Sequence, residues 1–323
     1  MMLAIQLSRT GGPEVLESVS LDTPSPGPGQ VLVRHEAVGV NFIDTYLRSG
    51  LYPMPLPAVL GGEAAGIVEA LGDGVTRLAV GDRVGYSGGA GGYAQYAAVA
   101  ADRAVRLPGG ISFETAAACL LKGMTTEFLV RRCYPLKAGE TILVQAAAGG
   151  VGTLLVQWAK HLGATVIGTV GSEAKADLAR SLGCDHVILY RHEDVAKRVR
   201  EITGGAGVPV AYDSVGKDTF EGTLASLSRR GLFVTFGNAS GPVPPLAPLR
   251  LMQGGSLFLT RPTLADYVRT PEELDDSAGR VFGLIVDGTL RIEIGQRFPL
   301  AQAEAAHRAL EGRETLGATV LIP

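Results

Sequence analysis

The chain has 323 residues, a formal net charge of −3 and three cysteines. This length is more than one ordinary domain needs and is comfortable for two. With 46% hydrophobic and 19% charged residues, the composition excludes extended disorder. No Lys/Arg block provides a footprint for nucleic acid, and no apolar run is long enough to predict a membrane span. Cys119, Cys133 and Cys184 are widely spaced, so we expect neither disulfides nor a metal set, and a cytoplasmic setting.

The first part of the chain, residues 1 to about 122, is rich in short runs of valine between glycine and proline. Examples are QVLVRHEAVGV (30–40), GIVEALG (66–72) and GDRVGY (81–86). The N-terminal MMLAIQL indicates a first strand, and it lacks the basic region of a signal peptide. Such runs predict the short strands of a barrel-like β domain.

From about residue 123 to 265 the pattern changes to strands that alternate with helices. The strand TILVQ (141–145) precedes a helix with an apolar stripe from Val151 to Leu162. Further predicted strands are TVIGTV (165–170), HVILY (186–190), PVAYD (209–213), LFVTFG (232–237) and SLFLT (256–260). The helices between them are predicted over SEAKADLARSL, DVAKRVREI and TFEGTLASLSRR. Six strands in this rhythm predict a parallel, doubly wound sheet.

The last segment, residues 266–323, has two helical and two strand patterns. We predict helices over 271–286 and 300–311 and strands over LRIEI (290–294) and ATVLI (318–322). A terminal strand of this kind can return to the first domain and complete it. The chain is therefore predicted to be an α/β protein with a β-barrel domain over 1–122 and 266–323, and a Rossmann domain over 123–265.

The loop AAAGGVG (146–152) lies directly between a predicted strand and a predicted helix. A dinucleotide pyrophosphate must approach backbone N–H groups at a helix N-terminus, where the helix dipole favours negative charge. Glycine permits that approach, although Ala146 and Ala147 replace the early glycine of G-x-G-x-x-G. In this context the loop predicts dinucleotide binding. The predicted contact positions are Gly149, Gly150, Val151 and Gly152.

The end of the second Rossmann strand indicates which dinucleotide binds. NAD-binding folds usually have an acidic residue there for the ribose 2′-hydroxyl. Here Gly171 and Ser172 follow the strand, and Lys175 comes one helical turn later. Ser172 and Lys175 suit an anionic 2′-phosphate, although Lys175 as a solvated helix lysine remains an alternative. Tyr190, at the end of the third strand, can lie beside the adenine. We therefore predict NADPH, with Glu173 as a dipole charge in the first helical turn.

The stretch GETILVQAAAGGVGTLLVQWAK (139–160) resembles the nucleotide-loop signature of the zeta-crystallin-like quinone oxidoreductases of the medium-chain dehydrogenase/reductase superfamily. The resemblance covers essentially the whole chain. It implies a GroES-like catalytic domain over 1–122 and 266–323, a Rossmann domain over 123–265, and NADPH-dependent quinone reduction. It also implies a homodimer that pairs through SLFLT (256–260). Other matching stretches are NFIDTYLRSGLYP (41–53), GGEAAGIVEALG (61–72), GDRV (81–84), YDSVG (212–216), RRGLFVTFGNASG (229–241) and SLFLTRP (256–262).

This sequence lacks the zinc ligands of the related alcohol dehydrogenases at the matching positions. Asn41 stands at the position of the catalytic cysteine, and the Gly-His-Glu motif is Gly61-Gly62-Glu63. Because a catalytic zinc needs three good protein ligands, we predict that neither zinc site forms. We interpret the histidines as surface or capping residues: His35, His161, His186, His192 and His307.

The resemblance also implies the residues around the reacting groups. Asn41, Asp44, Tyr46 and Tyr52 are expected around the nicotinamide and the substrate, where tyrosine rings can stack on a flat acceptor. Ordinary packed tyrosines remain an alternative. Two more residues, Thr125 and Phe128, are expected near the nicotinamide, at the start of the first helix on the Rossmann side. Further cofactor contacts are implied at Asn41, Ser214, Val215, Phe236, Gly237, Asn238, Pro262 and Arg313.

Two other functions remain open at this stage. Without a metal, the substrate must accept hydride readily, and activated carbon–carbon double bonds qualify as well as quinones. An NADPH-dependent 2-alkenal or enone reductase is therefore the first alternative. A crystallin-like structural or RNA-binding protein is the second, and the slightly negative net charge gives RNA binding little support.

Overall fold

A computed structural model describes all 323 residues. The chain divides into two compact units. The first consists of Met1–Met124 with Tyr267–Pro323, and the second of Thr125–Asp266. No helix is both long and apolar enough to cross a membrane.

The strands and helices follow one another in a β-rich, then alternating, then mixed order. In chain order the strands are β1 (Met2–Leu7), β2 (Leu16–Leu21), β3 (Gln30–Val40), β4 (Ala58–Val59), β5 (Glu63–Leu71), β6 (Arg83–Ser87), β7 (Tyr96–Ala100), β8 (Ala104–Arg106), β9 (Thr141–Val144), β10 (Thr165–Val170), β11 (His186–Leu189), β12 (Val208–Asp213), β13 (Leu227–Thr235), β14 (Phe258–Thr260), β15 (Ile294–Pro299) and β16 (Ala318–Ile322). The α-helices are α1 (Phe42–Ser49), α2 (Phe113–Phe128), α3 (Gly150–His161), α4 (Glu173–Ser181), α5 (Val195–Ile202), α6 (Phe220–Ser226), α7 (Pro248–Gln253), α8 (Leu264–Tyr267), α9 (Pro271–Val286) and α10 (Ala303–Glu311).

The first unit is built mainly on antiparallel strand pairs, with one parallel pair between β15 and β16, and most of its buried apolar residues form one core cluster. Its larger sheet has the order β15-β16-β3-β5-β6-β8, with β7 also paired to β3, and β2-β1-β4 form a smaller sheet. Inward-facing residues such as Val31, Val33 and Leu321 belong to the same buried cluster. The C-terminal β16 pairs antiparallel with β3, with Val320 opposite Gly39. The prediction that a terminal strand completes the first domain's sheet is therefore confirmed.

The second unit is a six-stranded sheet in the order β11-β10-β9-β12-β13-β14. All of its strand pairs are parallel. The order reverses between β9 and β12, and ligands of such sheets bind beside that reversal, at the carboxyl ends of the strands. The central strands are buried, which explains why they are almost continuous apolar runs in the sequence. The predicted doubly wound sheet is confirmed.

Two predicted elements differ from the structure. The helix expected to continue to Arg230 ends at Ser226, and β13 begins at Leu227. Leu227 pairs with Val208 ahead of a register shift. Its spacing from the apolar residues of the helix fits either a longer helix or the start of a strand. The strand predicted over 290–294 lies instead at Ile294–Pro299, where it pairs with β16. Leu290 is buried without belonging to a strand, so an apolar residue there does not mark one.

Candidate active site

The glycine loop of the second unit joins the end of β9 to α3. Gly149 is the N-cap of α3, and no side chain caps this helix, so the amides of its first turn lack the partner that a capping side chain supplies. A β-carbon on Gly152 would lie 2.1 Å from the carbonyl oxygen of Ala146. Ala146 has φ of 55°, so the alanine that replaces the early glycine adopts a left-handed conformation. The loop therefore has the close backbone packing of a dinucleotide cradle.

The loops after β12 and β13 lie against each other. The amide of Ser240 donates to the carbonyl of Val215 at 2.8 Å. A β-carbon on Gly237 would lie 2.3 Å from the carbonyl oxygen of Ser214, so this contact requires glycine. The structure therefore brings together four predicted contacts, namely Ser214, Val215, Gly237 and Asn238. Phe236 directly follows β13 and precedes Gly237, and Pro262 follows the neighbouring β14.

The residues expected at the 2′-phosphate lie at the ends of β10 and β11. Ser172 is the N-cap of α4 and is exposed, and Lys175 is half-buried in the first turn of that helix. Glu173 is in the same turn, as predicted, 3.7 Å from Arg180. A β-carbon on Gly171 would lie 2.6 Å from Tyr190 Oη, so the tyrosine lies against that glycine.

A buried polar network that the sequence reasoning missed lies beneath these loops. Thr169 Oγ1 donates to Gln145 Oε1 at 2.5 Å, and Gln145 Nε2 donates to Thr223 Oγ1 at 2.9 Å. Thr223 Oγ1 in turn donates to Asp213 Oδ2 at 2.9 Å, which links the ends of β9, β10 and β12 with α6. Burial raises the pKa of Asp213, against the lowering effect of its hydrogen bonds. The available signal was a polar residue at the end of each apolar strand.

Glu63 is the centre of the polar cluster in the first unit. Its Oε2 accepts from Asn41 Nδ2 at 2.8 Å and from Lys122 Nζ at 3.1 Å, and its Oε1 accepts from the Leu121 amide at 2.7 Å. Glu63 is 0% exposed and Lys122 5%, so this ion pair is buried. Because a carboxylate only accepts, it fixes the Asn41 amide nitrogen toward Glu63 and leaves the amide oxygen on the other side. Sequence reasoning missed Lys122 altogether.

Asp44 anchors the backbone of the same turn. Its Oδ2 accepts from the backbone N–H of Asn41 at 2.9 Å and from Tyr93 Oη at 3.0 Å. Its Oδ1 is buried without a hydrogen-bond partner. The surroundings of Asp44 together raise its pKa to about 7: burial is the main cause and Glu63 adds to it, whereas the two hydrogen bonds and Lys122 lower it. The carboxyl group of Asp44 therefore titrates near neutral pH.

The two tyrosines expected beside a flat substrate are in contact with each other. The rings of Tyr46 and Tyr52 have centroids 5.3 Å apart in an edge-on arrangement, and the Tyr52 amide donates to the Tyr46 carbonyl at 3.0 Å. Tyr46 is buried and Tyr52 is half-buried. Asn41, Asp44 and these tyrosines therefore belong to one short segment, residues 41–52, which contains α1.

Other predicted positions need correction. Thr125 and Phe128 do not begin a helix, because they lie in the last part of α2, which starts at Phe113. His35 and His307 are buried and hydrogen-bonded, so their interpretation as surface or capping residues was wrong. Arg313 is exposed in the turn after α10, with φ of 60°.

The side chains around Glu63 in the first unit indicate whether a metal ion could be held there. No group of three His, Cys, Asp or Glu side chains is arranged to hold a metal ion. At Glu63 the positive charge is the Lys122 ammonium, and the donor beside it is the Asn41 amide.

Two family models match the chain. The alcohol dehydrogenase GroES-like domain matches residues 27–109, and the zinc-binding dehydrogenase domain matches residues 150–274. Together with the mainly antiparallel first unit and the parallel second unit, they define the medium-chain dehydrogenase/reductase class of protein.

Full-length relatives narrow that class. A quinone oxidoreductase of Pseudomonas aeruginosa is 56% identical over 99% of both chains. The solved structure of the Escherichia coli quinone oxidoreductase complexed with NADPH has a TM-score of 0.98 and 48% identity, covering 99% of this chain and 100% of that one. A 2-haloacrylate reductase of Burkholderia sp. is 43% identical over 100% of this chain and 99% of its own length. The chain belongs to the quinone oxidoreductase family.

Proposed function

We propose that this chain is an NADPH-dependent quinone reductase that works without zinc. The observation that carries the proposal is the full-length similarity to quinone oxidoreductases, one of them solved with NADPH, together with a glycine loop that fits a dinucleotide. In this proposal the first unit is the catalytic domain and the second is the cofactor domain.

The cofactor is proposed to bind across the carboxyl ends of the second unit's strands. The pyrophosphate lies at the uncapped N-terminus of α3, supported by the requirement for glycine at Gly152. The 2′-phosphate is held by Ser172 and Lys175, and the adenine lies by Tyr190. The remaining proposed contacts are Asn41, Phe128, Gly149, Gly150, Val151, Gly171, Ser214, Val215, Phe236, Gly237, Asn238, Pro262 and Arg313.

The residues of the first unit are proposed to orient the acceptor. When bound, NADPH supplies the hydride. Lys122 pairs with Glu63, and Glu63 holds the Asn41 side-chain amide in one orientation. The amide oxygen faces the Asp44 backbone N–H in a capping box, and its second lone pair is proposed to accept from the reacting groups. Tyr46 and Tyr52 provide aromatic faces and hydroxyl groups, which suit a flat quinone. Asp44 anchors the Asn41 backbone, and Thr125 is proposed to contact the nicotinamide half.

Steady-state assays with NADPH test the function. We expect turnover of a panel of quinones, unchanged by a metal chelator, because the cation at Glu63 is a lysine side chain. Loss of activity on chelation would contradict the zinc-free proposal. The 43% identical 2-haloacrylate reductase favours one second candidate, an enone reductase. Enone reduction far faster than quinone reduction would establish it in place of the first.

We also propose a homodimer in the cytoplasm. The edge strand β14 has exposed apolar side chains, and α7 just before it adds two more. Such an edge offers unpaired backbone groups and apolar surface to a second copy. The exposed residues are Leu249, Met252, Phe258 and Leu259. The cytoplasmic setting is supported by Cys119 and Cys184, which are buried thiols.

A further inference from the structure

A line of buried polar side chains connects α10 with the turn that carries Asn41. Arg48 Nη1 lies 3.1 Å from His307 Nδ1, and Tyr93 Oη lies 2.9 Å from His307 Nε2 and 3.0 Å from Asp44 Oδ2. These four residues, here called the Arg48–Asp44 chain, are each at most 2% exposed. Only the far end approaches solvent, where Arg48 donates to both carboxylate oxygens of the partly exposed Glu311 at 2.9 and 2.6 Å.

The hydrogen bonds of the Arg48–Asp44 chain all run in one direction, from donor to acceptor. A guanidinium group only donates, so His307 Nδ1 must accept from Arg48. Burial and Arg48 lower the pKa of His307 to about 3, so its ring is neutral at neutral pH and carries the proton on Nε2. Nε2–H then donates to Tyr93 Oη, and the Tyr93 hydroxyl donates to Asp44. Every donor in the chain therefore points toward Asp44 Oδ2.

That oxygen is also the anchor of Asn41. Asp44 Oδ2 accepts a hydrogen bond from the backbone N–H of Asn41 at 2.9 Å. The Tyr93 hydroxyl and the Asn41 backbone therefore share one carboxylate oxygen. Donors aimed at a carboxylate favour its charged form, whereas burial favours the neutral one. The other charged groups that act on Asp44 are Lys122 and Glu63, and their effects oppose each other. The Arg48–Asp44 chain therefore affects the charge state of Asp44.

We propose that Tyr93 and His307 are positioning residues, which keep Asp44 ionised so that it holds the Asn41 turn in place. The proposal rests on the proposed function, in which Asn41 contacts the nicotinamide and the substrate. Neither Tyr93 nor His307 needs to touch a reacting atom. Both act through Asp44, and α10 thereby contributes to the site although it lies far along the chain.

The first unit contains a matched control for Tyr93. Tyr86 is also buried, and its Oη lies 2.9 Å from Nε2 of another buried histidine, His35. His35 Nδ1 bonds the backbone carbonyl of Ala94 at 2.7 Å, so this pair ends in the backbone and not at a carboxylate. Tyr86→Phe therefore removes the same hydroxyl from the same kind of pair, without weakening a donor to Asp44.

The test is the pH profile of kcat/KM for NADPH and a quinone, measured on the full-length wild type, Tyr93→Phe, His307→Gln and Tyr86→Phe. In Tyr93→Phe, Asp44 loses one of its two hydrogen-bond donors, so its pKa should rise. The acid limb of the profile should therefore move up by about one pH unit, and kcat/KM at pH values below the limb should be about tenfold lower than in the wild type. His307→Gln keeps an amide donor for Tyr93 and should shift the limb less. Tyr86→Phe should leave the limb in place. An unmoved limb in Tyr93→Phe, or an equal shift in Tyr86→Phe, would overturn the inference.

A second measurement separates this inference from the proposed function. The free energy of unfolding of the cofactor-free protein is measured across pH for the same variants. Tyr93→Phe should raise the pH at which Asp44 titrates, and Tyr86→Phe should not. If the wild type turns over no quinone while this shift is present, the proposed function fails and the coupling to Asp44 stands. If the shift is absent, the coupling fails even though the enzyme is active.

Discussion

Gly152 is a position where a single added atom decides whether the glycine loop between β9 and α3 can pack as it does. A β-carbon there would lie 2.1 Å from the Ala146 carbonyl oxygen, which is backbone and cannot rotate away. The same holds at Gly237 against the Ser214 carbonyl oxygen. At these positions the backbone of one segment packs directly on that of another, so glycine is required by contact and not by φ.

Gly152→Ala should therefore weaken NADPH binding by tenfold or more and lower the unfolding free energy by about 1–3 kcal/mol, as overpacking does. The matched control is Gly279→Ala, a glycine inside α9 with no atom within 4 Å of the added carbon. That change should stabilise the protein by up to about 1 kcal/mol, since alanine favours helix. Fluorescence titration with NADPH and urea unfolding measure both effects. Equal NADPH affinity in wild type and Gly152→Ala would show that the loop tolerates the contact.

Lys175 is the residue that we propose to select NADPH over NADH. Lys175→Ala should raise the Kd for NADPH about tenfold, because a hydrogen bond to a charged group contributes about 1.5 kcal/mol, and should leave the Kd for NADH nearly unchanged. Lys197→Ala, at an exposed lysine in α5, controls for the loss of one positive charge from the same unit. Equal weakening of both dinucleotides by Lys175→Ala would contradict a contact with the 2′-phosphate.

At the scale of elements, β14 lies at the edge of the second unit's sheet with its apolar side chains exposed. Phe258 is 56% exposed, and a large aromatic side chain is seldom left so open on a stable monomer surface. Light scattering should therefore give twice the mass of one chain. Phe258→Glu should shift the equilibrium toward single chains, because a charge would be buried at the paired edge. Val80→Glu, at an exposed apolar residue of the first unit, should leave the mass unchanged. A wild type that runs as a single chain at micromolar concentration would contradict the dimer.

At the scale of the whole molecule, three buried groups with large pKa shifts contribute to the pH dependence of stability. Burial, the main cause, lowers the pKa of His35 to about 4 and that of His307 to about 3, and it raises the pKa of Asp44 to about 7. Neutral buried histidines stabilise the fold above their unfolded pKa of about 6.5, and this stability is lost as pH falls. Neutral Asp44 stabilises the fold at low pH, and this stability is lost as pH rises toward 7. Near pH 5 the unfolded chain therefore binds about one more proton than the folded chain at these three sites, and this difference shrinks toward pH 6.5, where the unfolded histidines are half protonated.

The unfolding free energy should accordingly decrease as the pH is lowered from 6.5 to 5, with a slope that approaches about 1.4 kcal/mol per pH unit near pH 5. His35→Gln removes one of the two histidine contributions, so the slope over this window should drop to near zero. Urea unfolding at several pH values measures both slopes. An unchanged slope in His35→Gln would show that His35 is not the buried neutral group that its contacts indicate.

The sequence by itself determined the local parts of this protein. The strand, glycine loop and helix around Gly152 lie within about twenty consecutive residues, so their periodicity and turn chemistry are readable in order. The parallel sheet followed from strands that alternate with helices. Boundaries were less well determined, as at Leu227, because apolar spacing alone does not decide between a helix end and a strand start.

The tertiary structure alone decided the polar contacts of the first unit. Lys122 bonds Glu63 across 59 residues of sequence, and Tyr93 bonds Asp44 across 49 and His307 across 214. None of these pairs has a spacing that marks it, because a lysine or histidine at the surface has the same letter as one in the core. Burial gives them their meaning, since an ion or ring removed from water must find a partner, and only the fold determines which partner is within reach.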